Sequence, residues 1–318
     1  MKYTWKTTGI GKVDHLGIQF QKVLRGINEY SYSSKYRYAS AGRRFIIHTG
    51  KKFGLAKIQN IQDKHLEDHA RELKEQGKSN KYIKTELSAI RAIHANIPQA
   101  KYELTESLDF NKNVVGLGST PDGRADRAWT EHEIKEMKNI AIELNRPEIS
   151  NVIELMRSTG MRLDEAVTIR RDQLESAMKT GKIHLTNTKG NVPRDIPLND
   201  RAKALFEKVL PEISRGNYVF VPQKYVKSHT IHKFKVSVQN FIYNHRDKIQ
   251  DPERSLSAHN LKPYELGPLT AHGLRHTYAR EDYKQYRDRG FSKFNAESQT
   301  ANDMGHTREE VTRIYTLE

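Results

Sequence analysis

Two consecutive apolar stripes with the period of an α-helix run through residues 62–98. The first lies in "QDKHLEDHARELKEQG", which ends on a glycine, and the second lies in "SNKYIKTELSAIRAIHANIP", where Ser79 is a candidate N-cap and Pro98 a candidate stop. This spacing predicts two amphipathic helices, so we expect the first hundred residues to form a small helical domain. The apolar positions are Leu66, Ala70 and Leu73, then Ile83, Leu87, Ile90 and Ile93 or Ile97.

The helical pattern fades after Thr105 and resumes near residue 128. The stretch "GLGSTPDGRADR" collects glycine, proline and small polar residues, as linkers do. At 318 residues the chain is long enough for two domains that each bury a core. We therefore predict a helical domain over 1–115, a linker over 116–127 and a second domain over 128–318.

The second domain is predicted to be mostly helical with a small sheet. In "WTEHEIKEMKNIAIEL", Thr130 and Glu133 have the spacing of a capping box ahead of an apolar stripe. The segment "GKIHLTNTKGNVPRDIPLN" differs, because two short β-prone runs flank a Lys-Gly-Asn turn. It predicts a hairpin with Lys189 at or near its tip. The fold class is thus mainly α with a small β-sheet, the second domain being α+β.

Positive charge is concentrated at the N-terminal end. The chain has 54 Lys and Arg against 39 Asp and Glu, a formal net charge of +15, and residues 1–60 hold 12 basic and 2 acidic side chains. Tyrosines alternate with the basic residues, as in "EYSYSSKYRYASAGRRF". This pattern favours a nucleic-acid partner over a solubilising surface or an anionic membrane. The candidates for contacts to the nucleic-acid backbone, on charge density, are Arg43, Arg44, Lys51 and Lys52.

Cysteine is absent, which excludes disulfides, thiolate zinc sites and a cysteine nucleophile. No apolar run approaches the roughly 20 residues that span a bilayer, and the N-terminus lacks the apolar core of a signal peptide. We expect a cytoplasmic protein that acts without a membrane.

Three internal stretches could carry chemistry. "STGMRLDEA" sets Arg162 and Glu165 three residues apart, so on a helix the carboxylate would share a face with the guanidinium and orient it. "TAHGLRHTYAR" sets His272 and Arg275 one helical turn apart, and "NTKGN" offers Lys189. His272 and His276 have a spacing that could also hold a metal, but Gly273 stands where a zinc protease motif needs glutamate. We expect no metal and no cofactor.

The end of the chain, "MGHTREEVTRIYTLE", adds His306 and, nine residues later, Tyr315. Transfer of a phosphodiester needs its nonbridging oxygens neutralised, a nucleophile in line with the leaving oxygen, and a proton for that oxygen. Two arginines, a lysine, two histidines and a tyrosine supply all three functions. A tyrosyl phosphodiester would keep the energy of the broken bond. The chain has no complete Gly-Lys-Ser/Thr phosphate loop, because Glu72 stands where that pattern needs a glycine ahead of Gly77-Lys78-Ser79.

In this order and spacing, the residues resemble those of the tyrosine recombinases, or phage-type integrases. The family pattern is Arg in "TGxRxxE", a hairpin Lys, His-x-x-Arg, Gly-His, and Tyr nine residues on. The resemblance runs through residues 128–318 and more loosely through the helical N-terminal half. The matching positions here are Arg162 with Glu165, Lys189, His272 with Arg275, Gly305 with His306, and Tyr315.

The resemblance implies roles for these residues. Arg162 and Arg275 would clamp the scissile phosphate, Glu165 would hold Arg162, and Tyr315 would attack to leave a 3′-phosphotyrosyl bond and a free 5′-hydroxyl. Lys189 would be the general acid for the departing oxygen.

His272 would assist proton transfer from the tyrosine, and His306 would donate a hydrogen bond to the phosphate. The N-terminal domain would be a DNA core-binding domain.

The resemblance also implies double-stranded DNA as partner, a homo-tetramer on paired sites, and possible accessory DNA-bending proteins. The long segments between the motifs favour the integrase of a mobile element or phage, in a bacterial, archaeal or phage setting. Residues 190–271 could form a further DNA or subunit contact, or a peripheral insertion packed on its own domain. A type IB topoisomerase and a non-catalytic DNA-binding regulator are the alternative functions.

Overall fold

The computed structural model describes residues 3–28, 32–118, 126–186, 188, 193–227, 229–252, 254 and 267–305. The protein is mainly helical with a small antiparallel sheet, which confirms the predicted fold class. It divides into two compact units, Met1–Pro121 and Asp122–Glu318. None of the described helices is long and apolar enough to cross a membrane.

The first unit is a group of helices packed around α2, which contacts α1, α3 and α4. Its core contains side chains from every one of these helices, such as Leu16, Phe45, Leu66 and Leu87. The helices are α1 (Gly11–Gly26), α2 (Tyr32–Phe53), α3 (Asp63–Glu75), α4 (Asn80–His94) and the short α5 (Ser107–Asp109), which runs into a π-helical turn, Phe110–Val114.

Helices α3 and α4 confirm the two amphipathic helices predicted from the apolar stripes. The Ser79 hydroxyl accepts a hydrogen bond from the Tyr82 N–H at 3.2 Å, so Ser79 is the N-cap of α4. The expected stop at Pro98 is wrong, because α4 ends at His94. Tight turns follow at once, with the Ile97 N–H donating to the His94 carbonyl.

The second unit holds the sheet and the remaining helices around one core. The helices are α6 (Glu131–Glu143), α7 (Pro147–Thr159), α8 (Leu163–Thr168), α9 (Arg171–Thr180), α10 (Asp200–Val209), α11 (Gln223–Lys227), α12 (Ile231–His245), α13 (Ala271–Asp288) and α14 (Lys293–Met304), and the strands are β1 (Lys182–Leu185) and β2 (Arg194–Pro197).

Helix α7 is central to this unit, since it contacts α6, α8, α10 and α13. Its residues from Leu155 to Thr159 are all buried, and the helix ends at Gly160, whose φ of 62° is left-handed. The capping box ahead of α6 is present, because Thr130 and Glu133 exchange hydrogen bonds between backbone and side chain at 2.9 and 3.2 Å. Arg162 follows two residues after Gly160, so the buried end of α7 sets the position of its backbone.

Strands β1 and β2 pair antiparallel, with Ile183 opposite Ile196, as the hairpin prediction requires. Along β2, buried and exposed residues alternate, so Arg194 and Ile196 both face inward. The expected tip residue, Lys189, lies outside the described residues.

Part of the 190–271 segment belongs to the core of its own unit. Phe234, Val238, Phe241 and Ile242 on α12 are buried in the same cluster as α7. The segment therefore packs on its own domain as the second expectation has it, but its peripheral placement is wrong, because α12 is an integral element of the unit.

Candidate active site

Arg162 stands directly before α8 and is its N-cap residue. Its backbone N–H donates to Glu165 Oε2 at 2.7 Å, and its Nη1 donates to Oε1 at 3.0 Å. The predicted pairing is therefore present, but the predicted placement of both residues on a helix face is wrong. Glu165, at the third helical position, reaches back to the N-cap as the acidic partner in a capping box does.

A second arginine, absent from the sequence-based candidates, binds the same carboxylate. Arg194 on β2 donates from Nη1 to Glu165 Oε1 at 2.9 Å and from Nη2 to Oε2 at 2.6 Å. The sequence could have predicted that Arg194 faces inward, because it lies two residues before the apolar Ile196 and residues two apart in a strand share a face. An inward arginine needs a buried anionic partner.

The electrostatics of Glu165 follow from these contacts. Burial alone would raise the pKa of its carboxyl, but the hydrogen bonds and charge of Arg194, joined by Arg162, outweigh burial and hold the pKa below its usual value. Glu165 is thus a carboxylate at neutral pH, fixed between two guanidinium groups.

Arg275 on α13 is fully buried, with 0% exposure. Its Nη1 donates to the Gly160 carbonyl and its Nη2 to the Met304 carbonyl. These carbonyls lie at the C-terminal ends of α7 and α14, where helix dipoles are negative. Two helix ends therefore fix the guanidinium in position.

His272 is exposed in the first turn of α13, as predicted one turn before Arg275. The neighbouring Gly273 has no room for a side chain, since a Cβ would lie 2.2 Å from the Arg127 carbonyl oxygen and 2.6 Å from Trp129 Nε1. Trp129 Nε1 also donates to the Thr270 carbonyl at 3.0 Å. The helix start that carries His272 is held against residues 127–129.

His276 is buried beneath this turn, and its ring meets that of His272 edge-on at 5.4 Å between centroids. Burial lowers the pKa of His276 to about 3, with the positive groups around it acting in the same direction. Among the described residues, no third histidine or carboxylate forms a metal-ligand group with these two. His276 is a neutral core histidine at physiological pH.

A continuous series of contacts links these residues to one another. Arg162 binds Glu165, which binds Arg194, and Arg194 packs against Gly305 so closely that a Cβ there would lie 2.5 Å from Arg194 Cδ. Gly305 follows Met304, whose carbonyl accepts from Arg275. Arg275 returns to Gly160, two residues before Arg162.

These contacts place Arg162, Glu165 and Arg275 in one region of the unit. Gly305, at a φ of 62°, directly precedes His306. Lys189, His306 and Tyr315 lie outside the described residues, and no contact is assigned to them. Guanidinium groups held in fixed positions suit bidentate binding of a phosphate diester.

The four candidate backbone-contact residues on α2 divide between two surroundings. Arg43 donates to the Lys6 carbonyl at 2.7 Å and lies over the Trp5 ring. Arg44, Lys51 and Lys52 instead line one cavity of the first unit.

Two of these three have acidic partners. Arg44 binds Glu86 and remains 46% exposed, and Lys52 binds Asp68 at 2.7 Å and remains 57% exposed. Lys51 is exposed.

The profile of the phage integrase family matches residues 127–318, more than half of the chain. The chain belongs to the phage integrase family. It is therefore a tyrosine-type site-specific DNA recombinase. The match begins at the segment that holds the start of α13 and extends through Tyr315.

Relatives and solved structures agree with this family. The chain is 24% identical to tyrosine recombinase XerD of Halalkalibacterium halodurans over 94% of its own length and 90% of the relative's. It is 27% identical to tyrosine recombinase XerC of Stutzerimonas stutzeri over 49% of the chain and 50% of the relative.

Among solved structures, a Tn1549 transposon integrase bound to transposon right end DNA superposes with a TM-score of 0.57 at 16% identity, covering 94% of this chain and 93% of that one. A lambda integrase dimer bound to a core site gives 0.59 at 19% identity, covering 95% and 77%. At these identities the likeness establishes the shared fold of the integrase family.

Proposed function

We propose that this recombinase cuts and rejoins duplex DNA through a 3′-phosphotyrosyl intermediate on Tyr315. The tyrosine oxygen would attack the scissile phosphorus, and the bond to the 5′ oxygen would break to release a 5′-hydroxyl. The observation that carries the proposal is the family match over 127–318, which spans every residue of the motif pattern. The reverse attack, by a 5′-hydroxyl of a partner strand, completes strand exchange without an external energy source.

Arg162 and Arg275 would bind the nonbridging oxygens and stabilise the charge that develops on them. Both guanidinium groups are held in position, Arg162 by Glu165 and Arg275 by two carbonyls. Arg162 is 25% exposed and can meet the phosphate directly, whereas the buried Arg275 would need a local rearrangement when DNA binds. Donors that are already oriented stabilise a transition state without reorganising during the reaction. Glu165 would act through Arg162 as a positioning residue.

Proton transfer would fall to Lys189, His272 and His306. Lys189 would protonate the departing 5′ oxygen, His272 would assist removal of the tyrosine proton, and His306 would donate a hydrogen bond to the phosphate. The exposure of His272, on a helix start held by Gly273 and Trp129, leaves its ring accessible to substrate.

The first unit would be the DNA core-binding domain, with Arg43, Arg44, Lys51 and Lys52 near the phosphate backbone. Its excess of basic residues supports this role. We propose double-stranded DNA as substrate, with four copies acting on two paired sites and accessory DNA-bending proteins as possible partners.

A lambda integrase tetramer bound to a Holliday junction has the same fold, with a TM-score of 0.57 at 18% identity. The transposon and phage neighbours support a mobile element as the biological setting, in the cytoplasm of a bacterial, archaeal or phage-infected cell.

Covalent trapping tests the proposal. Wild type and Tyr315→Phe are incubated with nicked duplexes that carry the sequences flanking the gene, and the products are separated on a denaturing gel. We expect a slowly migrating protein–DNA band for wild type alone, with equal DNA binding by both proteins. A band with Tyr315→Phe would remove Tyr315 as nucleophile. Relaxation of supercoiled DNA without strand exchange would favour the topoisomerase alternative.

The role of Lys189 has a separate test. Lys189→Ala should cleave ordinary DNA slowly, and a 5′-bridging phosphorothiolate should restore the rate, because sulfur leaves without a proton donor. Absence of rescue would assign the general acid to another residue.

A further inference from the structure

A second cluster of chemically active side chains lies in the first unit, outside the recombination site. His48 on α2 and His69 and Glu72 on α3 each offer one ligand atom, and these atoms lie within 4.8 Å of one another. Two imidazoles and a carboxylate are a ligand set that zinc-class cations prefer, whereas Mg²⁺ and Ca²⁺ favour oxygen ligands alone. The recombination chemistry uses none of the three residues.

The ring of His48 has a carboxylate at each nitrogen. Its Nε2 lies 2.8 Å from Asp68 Oδ2, and its Nδ1 is in close contact with the Glu72 carboxylate. A neutral imidazole carries one N–H, so it donates to only one of them. If Nε2–H binds Asp68, the lone pair of Nδ1 faces an anionic oxygen, and that contact requires a proton or a cation between the two atoms.

Asp68 is placed as the outer partner of a metal-bound histidine. In such sites a carboxylate accepts the N–H of the ligating ring and thereby fixes its orientation and basicity. Asp68 is itself held by Lys52, whose Nζ lies 2.7 Å from Oδ1. The carboxylate is therefore anchored on the side away from His48.

His69 supplies the second, independent observation. Its side chain is 4% exposed, and within the part of the chain that the structure describes neither ring nitrogen has a hydrogen-bond partner. The nearest carboxylate oxygen, Glu86 Oε2, is 4.0 Å from Nε2, beyond hydrogen-bond range. Buried polar groups are rarely left in this state, and a ligated cation would satisfy one of the nitrogens. The rings of His69 and His48 are 5.2 Å apart between centroids.

We propose that His48, His69 and Glu72 bind a zinc-class dication that links α2 to α3. With metal–ligand bonds of about 2.0 to 2.1 Å, ligand atoms around a tetrahedral ion lie about 3.3 Å apart. Binding would therefore draw His69 inward, whereas His48 Nδ1 and the Glu72 carboxylate, which are already in close contact, would move apart to admit the ion. The cluster borders a cavity of about 600 Å³, so water has room to occupy a fourth position.

Most of the basic residues around the cavity do not oppose a dication, because acidic groups already bind them, and Lys51 is exposed to solvent. Arg44 binds Glu86, Lys52 binds Asp68, and Arg71 binds Glu67 at 2.7 Å. With no cysteine in the chain, no thiolate competes for the ion. A bound cation would tie the two helices together beside Arg44, Lys51 and Lys52.

The test uses the full chain, freed of metal with a chelator and dialysed. Zn²⁺ is titrated by calorimetry at neutral pH, and Co²⁺ is titrated by visible absorption, which reports a four-coordinate site directly. Wild type is compared with Glu72→Gln and with Glu75→Gln, a matched control that removes an exposed charge from the same helix and lines the same cavity. Circular dichroism establishes that all three proteins are folded.

We expect one saturable Zn²⁺ site per wild-type chain, a higher Tm with Zn²⁺ than with EDTA, and unchanged binding by Glu75→Gln. Glu72→Gln and His48→Gln should each weaken binding at least about tenfold, and Asp68→Asn by about 10- to 100-fold. Equal weakening by Glu72→Gln and Glu75→Gln, binding that neither variant alters, or no saturable binding would overturn the proposal. The His48–Glu72 contact would then join the two helices without a cation.

Discussion

At the scale of single residues, the proposed recombination site is organised around one buried carboxylate. Glu165 has a side-chain exposure of 2% and binds Arg162 on one side and Arg194 on the other. Arg162 is 25% exposed and can meet substrate, whereas Arg194 is 6% exposed. Since both terminal nitrogens of Arg194 bind Glu165, we expect Arg194 to act on the site through Glu165 and through its packing against Gly305.

Arg194→Ala should reduce the free energy of unfolding by about 3 to 5 kcal/mol, because it leaves the buried Glu165 with one fewer charged partner. Arg194→Lys, which retains one charged donor, should lose less and should slow covalent complex formation while preserving DNA binding. Chemical denaturation and the trapping gel measure the two effects.

Arg71→Ala is the matched control, since Arg71 and Glu67 form an exposed ion pair with side-chain exposures of 61% and 37%. It should change stability by less than about 1 kcal/mol. Equal effects of the two alanine variants would mean that Glu165 does not depend on Arg194.

The pairing of Arg162 with Glu165 could be predicted from the sequence, because the two residues are three positions apart and a local contact can be inferred from spacing. Arg194 is 29 residues from Glu165, and their contact depends on how the hairpin packs against α8. The inward direction of Arg194 could be predicted from the strand period, but its partner could not. The same limit applies to the carbonyl partners of Arg275.

At the scale of elements, the start of α13 is fixed by close packing rather than by a capping side chain. The Thr277 hydroxyl accepts from the Trp129 N–H at 2.8 Å and donates to the Trp129 carbonyl at 3.0 Å. With Gly273 pressed on the Arg127 carbonyl, these bonds set the height and rotation of the turn that carries His272 and Arg275.

Gly273→Ala should destabilise the protein by about 1 to 3 kcal/mol, because the added methyl group forces the helix away from residues 127–129. It should also slow cleavage, since His272 and Arg275 move with the helix. Thermal denaturation and the trapping gel provide the two measurements.

The control is Gly11→Ala at the start of α1, where a Cβ would meet nothing within 4 Å. It should be neutral or stabilising by up to about 1 kcal/mol. Similar losses for both variants would contradict a packing origin.

Helices α13 and α14 also share an acidic pair, the half-buried Asp282 and the buried Asp303. Burial, with the charge of Asp303 acting in the same direction, raises the pKa of Asp282 to about 7. Burial likewise raises the pKa of Asp303, whose Oδ2 accepts from the Tyr286 hydroxyl at 2.7 Å. The folded state therefore favours neutral Asp282 over its ionised form.

Asp282→Asn should therefore stabilise the protein by about 1 to 3 kcal/mol more at about pH 8 than at about pH 5. The sign follows from the folded pKa of about 7, which lies above the usual value of 3.8. The contribution of wild-type Asp282 is complete below about 3.8 and is lost progressively as pH rises through the folded pKa of about 7. Denaturation curves at the two pH values measure the difference.

Asp288→Asn on the exposed face of α13 is the control and should have no such pH dependence. His276, with its lowered pKa, acts in the opposite direction, since its contribution is lost as pH falls below about 6.5. Stabilisation by Asp282→Asn that is equal at both pH values would contradict ionisation as the cause.

The elements that could be predicted from the sequence are mostly those whose own residues define both the apolar face and the ends. Helices α3, α4 and α6 have apolar stripes and capping residues, and the hairpin has its turn residues and β-prone flanks. The membership of α12 in the core could not be predicted, because its basic and aromatic residues suit a surface contact as well as burial. Only packing against the rest of the unit decides between them.

At the scale of the whole molecule, charge is distributed unevenly. Residues 1–60 contribute a surplus of ten positive charges to the net +15. Arg44 and Lys52 are partly offset by Glu86 and Asp68, while Lys51 is exposed. If the first unit binds the DNA phosphate backbone, removing these positive charges should weaken the dependence of DNA affinity on salt concentration.

The double substitution Lys51→Gln and Lys52→Gln should lower the slope of log K against log salt concentration by about 1 to 2, because each phosphate contact on duplex DNA contributes about 0.9. Fluorescence anisotropy with a random duplex measures it. Lys203→Gln with Lys208→Gln removes the same charge from α10 and should change the slope less. Equal changes would indicate that binding senses net charge alone.

The sequence positions of the two carbonyl partners of Arg275 affect when this residue becomes ordered during folding. They lie 115 and 29 residues away in sequence, so the guanidinium reaches its position only after distant segments have come together. Closing such long loops costs chain entropy before the contact forms. If Arg275 binds the scissile phosphate as proposed, a nascent or partly folded chain would lack that ligand. We expect strand cleavage to be withheld until folding is complete.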